Sequence, residues 1–294
     1  MLTNYHTHCD FCDGKTSARI MAQAARATGY TTLGFSSHAP LPFKTEWNMD
    51  IERLPEYIET IRSLAREHAP EMEILVGLEL DYIEGLCGPR DGRFSAAGLD
   101  YTMASVHYVT PAGAPKPSEA IPEPGYEPTF GFTVDEPEDD FGSHLGSFYA
   151  GDAEAMVDDY YRLLTSCIGE GGFDILGHFD LIRKNNAGQR YFREDTERYR
   201  NAVMKAVDAI AGSDILVEIN TGGMARGKTD APYPAPWILK ELSSRGVAVC
   251  INADAHRPEH LSANRQDGVR AAIEAGYKNL VAIGRTGRHE IPIN

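Results

Sequence analysis

The stretch Leu2-Thr3-Asn4-Tyr5-His6-Thr7-His8 is a β-prone run that ends on two imidazoles at i and i+2. Near the far end of the chain, Val247 to Ile251 is a second β-prone run, and it leads into Asp254-Ala255-His256, a carboxylate and an imidazole at the same spacing. Residues two apart in a strand share a face. Each pair therefore presents two metal-ligand side chains together at the carboxyl end of a strand.

Five further β-prone runs lie between these two: Thr31 to Ser36, Glu73 to Leu78, Tyr101 to Val106, Phe173 to Gly177 and Ile215 to Ile219. Amphipathic helix candidates alternate with them at Ser17 to Thr28, Ile51 to His68, Ala153 to Ile168, Asp195 to Ala211, Trp237 to Arg245 and Pro258 to Ala275. Gly29, Gly212, Gly246 and Gly276 stand just past helix ends, where a left-handed residue stops a helix. Such alternation predicts an α/β fold of parallel strands joined by right-handed crossovers.

What terminates the strands carries the chemistry. The intermediate runs lead into Ser36-Ser37-His38, Glu79-Leu80-Asp81, Ser105-Val106-His107, Gly177-His178-Phe179-Asp180 and Glu218-Ile219-Asn220. In a parallel barrel these ends meet on one rim, where the active sites of such barrels lie. Six of the ten histidines then converge. Imidazole mixed with carboxylate suits Zn, Mn or Fe, whereas Mg or Ca sites are nearly all oxygen. Six His and several carboxylates exceed the four ligands of one tetrahedral ion, so two or three divalent ions sharing a carboxylate fit the count better. Asp81 and Asp180 read as hydrogen-bond partners of ligands, Glu218 as a buried polar contact and Asn220 as a substrate contact. His68 and His289 read as surface residues.

Composition narrows the partners. The net charge of −15 excludes a basic nucleic-acid or phospholipid surface, which leaves a small molecule or a cation. No run reaches the roughly 18 apolar residues of a membrane span, and no leader is visible, so a cytoplasmic protein is expected. Five scattered cysteines argue against a disulfide framework, and Cys9 and Cys12 read as bystander thiols. The chain, 1–294, reads as one domain. Within it, Thr110 to Ser147 is rich in Pro, Gly and acid (Asp135, Glu136, Glu138, Asp139, Asp140) without clear period, and is expected to be a partly ordered lid or specificity loop. Arg183, Lys184, Arg226 and Lys228 follow the fifth and sixth strands as candidate phosphate-binding cations.

The motifs His6-Thr7-His8, Asp13-Gly14-Lys15, Ser37-His38-Ala39-Pro40, Gly77-Leu78-Glu79, Ser105-Val106-His107, Gly177-His178-Phe179-Asp180, Asn220-Thr221-Gly222-Gly223 and Asp254-Ala255-His256-Arg257-Pro258 resemble those of the PHP (polymerase and histidinol phosphatase) family, and within it the stand-alone histidinol-phosphate phosphatases. The resemblance implies a distorted seven-stranded (β/α) barrel of TIM-like form, with a trinuclear metal centre at the C-terminal rim. It assigns His6, His8, Glu79 and Asp254 to one ion, with Glu79 bridging to a second held by His107 and His178. Asp13, His38 and His256 would hold the third, Asp13 standing where many members carry His. Catalytic roles fall to His38, Glu79, Asp254, His256 and His260, the last as a candidate proton donor alongside water, while Arg183 and Arg226 would grip the phosphate. The implied reaction is attack of a metal-activated hydroxide on L-histidinol phosphate, a step of histidine biosynthesis. From composition alone, acidic residues of the long segment are expected to receive the cationic parts of that substrate. A family member acting on another small phosphate ester, such as a nucleotide or sugar phosphate, is the alternative. A non-catalytic module should lack several of these ligands, and an amidohydrolase-type barrel should add a bridging lysine that no strand end here offers.

Overall fold

A computed structural model describes residues 1–114 and 130–293. Seven parallel strands form one sheet: β1 (Thr3–Asn4), β2 (Thr32–Phe35), β3 (Glu73–Asp81), β4 (Tyr101–Ser105), then, past a short pair, β7 (Ile175–Leu176), β8 (Leu216–Asn220) and β9 (Val249–Asn252). Their order in the sheet is their order in the chain, so each crossover returns to the adjacent position. The ring is closed by a parallel bridge between Thr7 and Ala255, in which His8 N donates to Ala255 O at 2.9 Å and Ala255 N donates to His6 O at 3.1 Å. The two motifs that bracket the chain thus form the two sides of one seam. This is the expected α/β barrel.

Helices cover the outside. Those of the first half, α1 (Ala18–Ala27) and α2 (Leu54–His68), pack over β1 to β3 in a core containing Met21, Tyr57, Ile61 and Leu64. The second-half helices are α3 (Glu138–Tyr149), α4 (Ala153–Glu170), α5 (Glu197–Ile210), the single turn α6 (Gly222–Ala225), α7 (Pro236–Ser244) and α8 (Arg265–Glu274). They share a larger core built on Tyr160, Tyr161, Val203, Val207, Ile238 and Leu239. Side-chain caps begin several of these helices: Ser17, Asp152 and Thr196 accept from the amides of Ile20, Ala155 and Tyr199, satisfying donors that a helix start leaves open.

Inside the ring the filling changes with height. The lower half is apolar, from Tyr5, Leu75, Tyr101, Met103, Ile175 and Leu216. Tyr101 lies across the neighbouring strands and donates to Tyr5 O at 2.5 Å. A Cβ on Gly34 or Gly77 would stand 2.4 or 2.5 Å from atoms of the Tyr101 side chain, so glycine at those two positions makes room for the ring. Below it a C-terminal hairpin, β10 (Asn279–Gly284) with β11 (Gly287–Pro292), closes the mouth: Tyr5 Oη donates to Ile283 O at 3.0 Å and accepts from Ile283 N at 2.8 Å. With the lower half packed by aromatic and aliphatic side chains, the polar strand ends are confined to the upper rim.

The long segment is more ordered than expected where it is described. β5 (Tyr108–Val109) pairs with β6 (Phe132–Thr133), and Glu138–Tyr149 is α3 rather than loop. Phe141, Leu145 and Tyr149 supply its buried stripe. The acidic run Glu138, Asp139 and Asp140 is its first turn, where negative charge complements the helix dipole. The remainder of the expected lid, residues 115–129, lies outside the described residues.

Candidate metal centre

The strand ends, joined by Asp13 from the loop after β1, bring their side chains together. His6 Nε2 lies 3.1 Å from Glu79 Oε2 and 3.7 Å from Asp254 Oδ1; His8 Nε2 lies 3.6 and 3.5 Å from the same two oxygens. Donors about 2.1 Å from a tetrahedral ion stand about 3.4 Å apart, and these four separations bracket that value. On the other side of Glu79, Oε1 lies 3.1 Å from His178 Nε2 and 3.6 Å from His107 Nε2. The third group is looser. Asp13 Oδ2 stands 3.1 Å from His256 Nε2, and Asp13 Oδ1 stands 3.8 Å from both His38 Nε2 and His8 Nδ1. His8 therefore faces two groups, and His38 Nδ1 also approaches Glu79 Oε2 at 3.0 Å.

Hydrogen bonding says the same. His6 Nε2, His8 Nε2, His38 Nδ1, Glu79 Oε2 and Asp13 Oδ1 are buried without a hydrogen-bond partner. Leaving one such atom unsatisfied costs about 1–3 kcal/mol. Five together in one place make sense as lone pairs kept for cations, so the residues present fit divalent transition metals.

The opposite ring atoms hold the imidazoles in register. Glu218 Oε1 accepts from His6 Nδ1 at 2.7 Å, Asp81 Oδ1 from His107 Nδ1 at 2.6 Å, and the Asp254 carbonyl from His256 Nδ1 at 3.0 Å. Each bond leaves Nε2 as the lone-pair atom facing the centre. Cys12 Sγ stands 3.5 Å from His8 Nδ1, so this thiol adjoins the site. Asp254 itself has φ +49°, a left-handed conformation that Asp tolerates better than most residues. Arg226 braces it, donating to its Oδ2 at 2.8 Å and its carbonyl at 3.0 Å.

Charge is distributed accordingly. Burial disfavours the charged form of Glu79, yet His6, His38 and His107 hold its carboxyl well below the usual range. Asp254 is likewise held well down against burial by Arg226 and His6. The same partnership acts on the rings against the pull of burial: Glu218, Glu79 and Asp254 raise His6 well above the ordinary imidazole value, and Asp81 brings His107 to about 10. His8 goes the other way, to about 3, through burial and the proximity of His256 and His38.

The centre floors a cavity of about 670 Å³. Its walls carry Lys15, Trp47, Lys184, Arg226, Arg257 and His260, together with Thr133, Asp135 and Glu136 from the long segment. All nine residues expected as metal ligands are gathered here. His260 also lines the cavity; its pKa lies below the ordinary value through burial and through Arg226, His256 and Arg257. Arg183 does not line it. Its guanidinium donates to Glu194 Oε2 at 2.8 Å and to buried Asp180 Oδ2 at 3.2 Å, which turns it into a neighbouring cleft. Asp180 correspondingly serves Arg183 and the Ala235 amide rather than a ligand. Asn220 is also committed elsewhere, donating to Glu218 Oε2 and accepting from Gly222 N. His68, expected on the surface, is buried in the last turn of α2 and outside the cluster. Lys15, Trp47, Thr133 and Arg257, to which the sequence assigned no role, also form the wall.

The family described as the PHP domain matches residues 4–222. A probable histidinol-phosphatase of Deinococcus radiodurans is 29% identical over 282 residues, covering 95% of each chain. The histidinol-phosphatase of Bacillus subtilis is 25% identical, covering 86% of this chain and 92% of its own. The crystal structure of the Lactococcus lactis histidinol phosphate phosphatase, in complex with zinc, L-histidinol and phosphate, superposes with a TM-score of 0.66 at 19% identity over 98% of both chains.

Proposed function

The chain belongs to the PHP domain family, which matches about three quarters of its length, and from that premise we propose that it is a metal-dependent phosphomonoesterase converting L-histidinol phosphate to L-histidinol and phosphate. The observation that carries the reading is the convergence of nine ligand residues, five of them with unpartnered buried donor atoms, on the floor of one open cavity. Two relatives named for that activity match the chain nearly end to end, which supports the substrate. No helix among the described residues is long and apolar enough to cross a membrane; a biosynthetic role of this kind belongs in the cytoplasm.

Two or three divalent ions, Zn, Mn or Fe, bound to these donors supply Lewis-acid charge at the phosphoryl oxygens and a nucleophilic oxygen near neutral pH. The protein's share is to hold and orient. Glu79 sets one oxygen toward the His6, His8 and Asp254 group and the other toward His107 and His178, tying the groups at a fixed spacing. Glu218 and Asp81 fix ring tautomers. Arg226 orients Asp254 and faces the cavity, and with Lys184 supplies cationic donors for a phosphate dianion in the role expected of Arg183. His260 is a neutral ring at pH 7 and contributes a hydrogen-bonding N–H.

The test combines elemental analysis of purified protein with phosphate release from L-histidinol phosphate, p-nitrophenyl phosphate and nucleotides. Bound transition metal and preference for histidinol phosphate are expected, and E79Q should lose both metal and turnover. Preference for nucleotides would transfer the reading to another phosphate ester.

A further inference from the structure

Histidinol phosphate differs from a plain monoester in carrying an ammonium group on the carbon next to the ester-bearing one. A selective site needs an anionic partner close to the phosphate floor, fixed well enough to favour the amine without drawing in free cations. Of the five acids of the 135–140 run, Glu138, Asp139 and Asp140 stand in the first turn of α3, outside the cavity lining. Only Asp135 and Glu136 line it. Glu136 is held from α3, its Oε1 accepting from His144 Nδ1 at 2.8 Å.

Asp135 is differently placed. Lys184 Nζ donates to its carbonyl at 2.7 Å and to Oδ2 at 3.2 Å, leaving Oδ1 without a partner among the described residues. The backbone on both sides is clamped: Asn185 Nδ2 donates to Val134 O at 3.3 Å and to Glu136 O at 3.0 Å, and Val134 N donates to His107 O at 2.8 Å. This carboxylate is thereby tied to a metal-ligand strand end. Burial opposes its charge, but Lys184, His107 and His178 hold it ionised, at a pKa of about 2.

We infer that Asp135 is the specificity-determining carboxylate of this site, with Oδ1 accepting the substrate ammonium while Lys184 holds Oδ2. The inference rests on the histidinol phosphate reading above. A charge-assisted hydrogen bond of this kind, lost in a partly enclosed site, lowers kcat/KM by roughly 10- to 100-fold. It selects amino-alcohol phosphates over phosphates that lack the amine.

The experiment measures kcat/KM for L-histidinol phosphate and for its deaminated analogue, imidazolylpropyl phosphate, on metal-loaded protein. Wild type is expected to prefer the amine-bearing ester by roughly 10- to 100-fold, D135N to bring the ratio to within about threefold of unity with undiminished metal content, and D135E to restore part of it. The triple variant E138Q/D139N/D140N should keep the wild-type ratio. Equal losses on both esters in D135N overturn the inference by making Asp135 a structural residue, and a ratio lost in the triple variant overturns it by making the effect one of bulk charge. Wild-type protein that turns over histidinol phosphate without discriminating overturns it while sparing the earlier reading. Wild-type protein inert toward histidinol phosphate overturns both.

Discussion

Replacing Glu218 by Gln tests how the metal centre is built, because the shape is kept while one accepting oxygen becomes a donating NH2 and the charge is lost. Glu218 is fully buried, and its two oxygens accept from three donors: His6 Nδ1 at 2.7 Å, His178 N at 2.8 Å and Asn220 Nδ2 at 2.9 Å. Asn220 cannot reverse its amide to help, since its Oδ1 accepts from Gly222 N at 2.8 Å. A glutamine has one accepting end and one donating end. If its oxygen faces His6, its NH2 meets the His178 amide and Asn220, a donor against two donors. If it flips, the NH2 faces His6 Nδ1 and drives that ring to the tautomer whose Nε2 carries hydrogen and cannot ligate. The first arrangement costs about 1–3 kcal/mol as a buried mismatch. The second weakens metal binding about 10- to 100-fold, which is about 1.4–2.8 kcal/mol at 1.4 kcal/mol per decade. The first shows as lost stability of the metal-free protein, and the second as metal binding about 10- to 100-fold weaker, read by competition with a chelating indicator. An affinity within threefold of wild type, with unchanged melting of the metal-free protein, would refute the argument.

Other expectations follow from the same geometry. R226A removes the brace on Asp254 and a cavity cation together, and should lower kcat/KM about 100-fold. R183A should leave turnover near wild type but cost about 3 kcal/mol in urea denaturation, because fully buried Asp180 loses its charged partner; a reversed ranking of the two variants would return Arg183 to the phosphate site. The metal-free protein holds His6, His38 and His107 above the ordinary imidazole value. Ligation needs neutral rings, so loading zinc at about pH 7.5 should release more than one proton per protein, and metal affinity should rise with pH. For His107 the sign on stability is the opposite: its contribution to the metal-free fold is full below about pH 6.5 and is lost as pH rises through about 10. Zinc uptake with no proton release, followed by an indicator dye, would contradict this protonation pattern.

Much of the site is legible in the sequence because its logic is local. A ligand at a strand end announces itself by a β-prone run followed by His, Asp or Glu at i and i+2, as at His6 and His8 or Asp254 and His256. Closing the ring then brings together residues the spacing alone cannot relate. What escapes is supplied by other means. Thr133 reaches the wall from β6, which with its partner β5 is too short to show a period. Helix α3 is masked by Gly142 and Gly146, which weaken a helical reading, although Phe141, Leu145 and Tyr149 recur at i, i+4 and i+8. The C-terminal hairpin turns over two residues, Arg285-Thr286, between glycines, and its outer strand is exposed and polar, leaving little hydrophobic signal. Arg183 shows the opposite failure, since position after a strand says nothing about which carboxylates a long side chain will meet first.

The seam between Thr7 and Ala255 joins residues 248 apart (255 − 7) in the chain. A contact of such length is entropically late in folding, and donors from both of its sides, His6 and His8 from one and Asp254 and His256 from the other, belong to the same centre. Seven of the nine ligand residues precede the last barrel strand, and Asp254 and His256 join them only once it is made. Metal then acts as a clasp on the finished ring, and its binding energy is credited to the closed state alone. Chelators should consequently reveal themselves first as fraying at the seam, with amide protons of His8 and Ala255 exchanging ahead of those in β3 and β4.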